Sequence, residues 1–138
     1  MASILKVDTL TGVTTAGSIS VTGEGNSTTT NLQQGLAKAW CSIDGDSTVN
    51  DSLNIASTTD NGSGDNTYTF SNAMGNATFA VSGMSKSDDN AGVRAAFMQF
   101  AANNTSIATT FFRLTSQYDN TNGREAEYAS TTAHGDLA

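Results

Sequence analysis

The sequence predicts an all-β protein, an antiparallel β-sandwich of jelly-roll-like type with an extended N-terminal arm. Two observations carry that prediction. Thr, Ser, Asn and Gly supply 63 of the 138 residues, whereas Lys, Arg and Glu together supply nine. Thr favours strands, Asn and Gly favour tight turns, and the straight charged side chains that favour helices are scarce. From Ala37 onward, short runs alternate large apolar with small polar residues, the period of a half-buried strand.

The first thirty residues read as a segment apart, with the sandwich assigned to 31–138. ILKVD at 4–8 and SISVTG at 18–23 are short strand-like runs, followed by the soft stretch GEGNSTTT. Seven large apolar residues, Ile4, Leu5, Val7, Leu10, Val13, Ile19 and Val21, are too few for a core. They cannot offset a backbone ordering cost of roughly 1 to 2 kcal/mol per residue, so the arm needs a partner surface. Pairing with an exposed strand edge would suit it, with alternating side chains setting the register. Thr30 or Asn31 followed by Gln33 or Gln34 resembles a capping box and allows one or two helical turns over LQQGLAK.

In AKAWCSID, Ala37, Ala39, Cys41 and Ile43 share one side and Lys38, Trp40, Ser42 and Asp44 the other, so Trp40 is expected on the polar face. The same alternation points Leu53 and Ile55, then Tyr68 and Phe70, then Phe79 and Val81 inward. Loops are expected at 44–51, 58–67 and 71–76, where residues tolerant of positive φ concentrate. VRAAFMQFA at 93–101 and ATTFFRLTS at 108–116 are apolar on both faces, with Asn103 and Asn104 suited to the turn between them. A last strand is expected across 124–132.

Two-sided apolar strands imply that one face fills the core and another subunit covers the other. Phe97, Met98, Phe100, Phe111, Phe112 and Leu114 are therefore the expected interface residues. Leu, Ile, Val and Phe number 24, about 17% of the chain, with a formal charge of −7. That composition lies in the range where isolated chains stay disordered, which again points to an assembly.

Several function classes are disfavoured. Six scattered Lys and Arg residues in an acidic chain argue against nucleic acid as a partner. No apolar run approaches the roughly 18 residues of a membrane span, and residues 1–20 lack the apolar stretch of a secretory signal, so the chain reads as soluble and unprocessed. One cysteine, Cys41, excludes an internal disulfide and reads as a small buried hydrophobe. With only His134 beside it, a zinc site within one chain lacks ligands, and His134 reads as a terminal-strand residue. No cofactor is expected.

Glu125 and Glu127, at i and i+2, read as a solvated strand face, since glycosidase carboxylates normally come from different elements. The acidic loops at 44–46, 60–65 and 88–90 could offer oxygen ligands to calcium. Gly62 and Ser71, however, stand where an EF-hand beginning at Asp60 needs its third ligand and its bidentate Glu, so a hairpin turn is the better reading. Trp40 is the exposed-residue anomaly. It fits packing beneath the arm or a neighbouring subunit, and it also fits a stacking platform for a sugar.

Residues 31–83 contain, in order, GLAKAW at 35–40, DSLNIAS at 51–57, DNGSGD at 60–65, the aromatic strand at 68–70 and NAM at 72–74. With the opening MASILKVDTL and the terminal GDLA, these cover about two thirds of the chain. The stretch resembles a module of tail-fibre or surface-appendage proteins in the virions of marine tailed bacteriophages. Cys41, Ser42 and Ile43 depart from the module, and residues 86–122 fall outside the resemblance.

The resemblance implies a non-enzymatic virion structural role on the particle surface, as a homotrimer. It also implies an N-terminal segment, with Ile4, Leu5, Val7 and Leu10, that attaches to other virion proteins of head or tail. A chain this short suggests a short appendage, a fibre tip or a head-decorating protein. The alternative is a carbohydrate-binding host-adhesion module that takes a surface glycan.

Overall fold

The computed structural model describes residues 4–13, 19–23, 28–87, 95–101, 105–117 and 125–138, with Gln33, Gln34, Ser87 and residues 95–97 described by backbone alone. It divides into two compact units, Met1–Leu36 and Ala37–Ala138.

In the first unit β1 (Ser20–Thr22) pairs antiparallel with β2 (Thr29–Asn31), Val21 opposite Thr30. A single helical turn, α1 (Leu32–Gly35), follows, and the Leu32 N–H donates to the Ile19 carbonyl at 2.8 Å. The unit therefore runs past residue 30, because β2 and α1 are tied to β1. Residues 4–13 form no strand, unlike the expectation for ILKVD. A strand needs a neighbour for its main-chain groups, and among the described residues none pairs with them. Ile4, Leu5, Val7, Leu10 and Val13 are all exposed, Val13 to 93%.

The second unit is one nine-stranded antiparallel sheet built from β3 (Ala39–Asp44), β4 (Val49–Leu53), β5 (Ile55–Asp60), β6 (Asp65–Phe70), β7 (Ala80–Ser87), β8 (Ala95–Phe100), β9 (Ile107–Ala108), β10 (Phe111–Gln117) and β11 (Ala126–His134). The spatial order is β4-β3-β11-β7-β8-β10-β6-β5, with β9 on β10. The sheet ends on β4 and β5, which are not paired, so it is not a closed barrel.

Its inner face encloses a single core. β3 and β11 contribute small residues, Ala39, Cys41, Ala129 and Ala133, beside Ile43; β6 and β10 contribute Tyr68, Phe70, Phe112 and Leu114. Tyr68 stacks on Phe112 at 4.9 Å between ring centroids, and Phe70 meets Phe79 edge-on at 5.4 Å. Small residues facing an aromatic cluster let a few large side chains fill the space, and aromatic pairs add about 0.5 to 1.5 kcal/mol each beyond burial.

The expected alternation holds in β3, where Ala39, Cys41 and Ile43 are buried, and in β6, where Tyr68 and Phe70 are buried. It fails just before β3, where Lys38 is buried and Ala37 is not. It fails again at 52–57, which is two strands rather than one. Asn54 sits at φ 56°, in the left-handed region, and turns the chain from β4 at one end of the sheet to β5 at the other. Leu53 is consequently 47% exposed instead of inward, while Ile55 does pack on the core.

The loops at 44–51 and 58–67 are tighter than expected, since β4 starts at Val49 and β6 at Asp65. The 61–64 turn uses Gly62 and Gly64, both at positive φ. The 71–79 loop holds the C-terminus: Met74 bridges Leu137, and Gly75 N–H donates to Asp136 O at 2.7 Å. β8 pairs with β10 as expected, Phe100 opposite Leu114. Val93, the Asn103–Asn104 turn, the 88–90 acidic loop and the 118–123 loop lie outside the described residues.

Candidate interaction surface

Successive residues of a strand face opposite ways, and directly paired residues share a face. Applied to β4, β3, β11 and β7, this gives three outward rows. Leu53, Trp40, Thr132 and Ser82 form the first. Asp51, Ser42, Ser130 and Met84 form the second, which continues to the register position of Phe97 in β8. Asp44, Tyr128 and Lys86 form the third.

Trp40 is half-buried on this face, as its place in the β3 alternation predicts. Leu53, its direct partner in β4, is 47% exposed, and the same outer face carries Tyr128 at 46% and Met84 at 77% exposure in the other two rows. The Ser42 hydroxyl donates to the Tyr128 phenol oxygen, which ties the third row to the second. Ser82, Ser130 and Thr132 fill the remaining positions with small hydroxyls. The result is an open sheet face of two aromatics, two aliphatic side chains and hydroxyls, with charge confined to its margins. At one margin Lys86 pairs with Glu127, both side chains more than half exposed, a contact of little energetic weight.

The expected interface residues separate into two groups. Phe112 and Leu114 are 1% and 4% exposed and belong to the core of their own chain, which corrects their assignment to a subunit contact. Met98 packs against that core, and Phe100, on the same inner face but at its rim, is 42% exposed. Phe111 faces outward and is half-buried; the Phe97 side chain lies outside the described residues.

The carboxylates serve local structure. Glu125 accepts the Gly64 N–H at 3.1 Å, and Glu127 occupies a β-bulge of β11. Asp60 accepts the Gly62 N–H at 2.8 Å, a turn contact. Asp44 and Asp46 share a hydrogen bond that raises the first carboxyl above its ordinary range and lowers the second. Asp65 grips Arg113 through two bonds of 2.7 Å. Among the described residues no three His, Cys, Asp or Glu side chains gather as metal ligands, and no helix is long and apolar enough to cross a membrane.

Cys41 is buried, and desolvation pushes its thiol up to about 11. Tyr68 is buried too, its phenol held above the ordinary tyrosine range by desolvation and by Cys41. Both therefore stay neutral and unreactive at physiological pH. His134 ends β11, half-buried.

Sequence reasoning located Trp40 and missed Leu53, Met84 and Tyr128, its companions on the face. Met84 alternates out of phase with Val81, a signal that was available. Leu53 was hidden by an alternation running unbroken through Asn54. No protein-family model, no curated protein and no solved structure matches the chain.

Proposed function

We propose that this chain is a non-enzymatic phage virion structural protein, a short homotrimeric appendage of tail-fibre-like or head-decorating type displayed on the particle surface. The observation that carries the reading is the exposure of the arm. Ile4 and Leu5 are 77% and 79% exposed, and Val7 and Leu10 more than half. Apolar side chains clustered this densely in one short stretch are explained by a polypeptide that covers them.

The order of motifs across 31–83 supplies the virion context; no match to a known protein stands behind it. On this reading the folded-over sheet is the projecting jelly-roll-like sandwich. Phe111 and Met84 of its outer face, the outward register position of Phe97, and Phe100 at the inner rim meet neighbouring subunits. Mass spectrometry and immunogold labelling of purified particles test virion membership. Detection on head or tail supports the reading, and absence from the particles refutes it.

The Trp40 face favours a second reading, a carbohydrate-binding adhesion module. Two aromatics on one sheet face that also carries the Ser42, Ser130 and Thr132 hydroxyls suit stacking against a sugar and hydrogen bonding to its hydroxyls. Selective binding on a glycan array, abolished by Trp40→Ala, would establish it.

A further inference from the structure

We infer that residues 4–8 of one copy of this chain add as a strand to the open edge of β4 in a second copy. The inference rests on the reading of the chain as a self-assembling subunit and names the partner of its arm.

β4 is one of the two ends of the sheet order, and among the described residues no strand pairs with its far side. Four of its five residues are exposed, Val49 and Leu53 among them. The Ser52 N–H donates to the carboxylate of Asp51 at 2.8 Å. That contact marks a main-chain donor on the open side, held by a neighbouring side chain as edge strands commonly are. The arm offers the complement, an ILKVD run whose apolar residues are exposed and which forms no strand.

Side-chain chemistry selects both edge and direction. In an antiparallel register Ile4 lies beside Leu53, extending the row that holds Trp40, and Lys6 lies beside Asp51. Leu5 and Val7 then turn to the side of Ser52 and Val49; Val49 pairs with the core residue Ile43. A parallel register that keeps Lys6 at Asp51 would set Asp8 against Leu53. The other open strand, β5, exposes Ala56, Ser57, Thr59 and Asp60 and offers no large exposed aliphatic partner for Ile4. Lys6 is one of only six basic residues in a chain of net charge −7, so its meeting with Asp51 relieves like-charge repulsion between copies. As Asp51 turns to Lys6, the Ser52 N–H becomes available to a carbonyl of the incoming strand.

Cross-linking tests the register. Residue 51 would form a non-hydrogen-bonded pair with residue 6, Cα atoms about 4.5 Å apart, within disulfide reach. Full-length Lys6→Cys and Asp51→Cys variants, one tagged, are coexpressed and oxidised; native Cys41 is buried and does not compete. A disulfide joining tagged to untagged chains is expected, with neither variant alone giving more than a trace. In parallel, Lys6→Asp should weaken assembly roughly tenfold, and Asp51→Lys should restore it in the double variant.

Sedimentation separates the failures. A protein that assembles yet forms no mixed disulfide, or whose assembly ignores both charge reversals, overturns the strand addition alone. A double-cysteine variant that closes only within one chain does the same. A protein that stays monomeric overturns the strand addition together with the assembly reading beneath it.

Discussion

Asn54 has the most specific task of any single residue in the fold. It holds φ 56°, its Oδ1 accepts the Asn72 N–H at 2.7 Å, and its Nδ2 donates to the Asn72 carbonyl at 3.1 Å. Asn54→Ala loses these bonds and strains the left-handed backbone, so a loss of about 2 to 4 kcal/mol is expected in chemical denaturation. Asn54→Gly, which keeps the backbone freedom, should cost less. Phe112→Ala removes the ring at the centre of the aromatic cluster and should cost about 3 to 5 kcal/mol.

Cys41 gives a pH signature. Its thiol rises from 9.0 to about 11 on folding, so the unfolded chain releases this proton at lower pH than the folded one. The associated stability is fully present below pH 9 and is lost as pH rises through about 11, at no more than roughly 1.4 kcal/mol per unit. Denaturation of Cys41→Ala across this window should show a shallower alkaline decline than the parent chain.

At the scale of elements, β3 and β6 were legible because each keeps one period-two pattern from end to end. The β4–β5 corner was not, since one left-handed residue resets the faces without disturbing the letters of the pattern. ILKVD has the alternation of a strand and still forms none, because pairing depends on a partner elsewhere in the molecule. The site was legible only in its anchor. Trp40 follows from the alternation of β3, whereas Tyr128 and Met84 reach it through registers of β11 and β7 that no local window encodes. Their common face makes a prediction: if the outer face docks another subunit, Met84→Asp should impair assembly and leave thermal unfolding of the isolated chain nearly unchanged, because Met84 is 77% exposed. Phe112→Ala should instead lower both.

For the whole molecule, the shortage of large apolar residues is met in two ways. The second unit gathers Tyr68, Phe70, Phe79 and Phe112 in one cluster backed by alanines, so it holds a core of its own. Among the described residues of the first unit no such cluster forms, and Ile4, Leu5, Val7, Leu10, Val13, Val21 and Leu36 are exposed. Deleting residues 2–30 should therefore leave the sheet folded, with its near-ultraviolet aromatic dichroism retained, while assembly is lost. The most direct measurement of the central claim is sedimentation equilibrium of the full-length chain at micromolar concentration. The account predicts a species near three times 14.2 kDa that dissociates when the arm is removed; a stable, folded monomer of the full-length chain would contradict it.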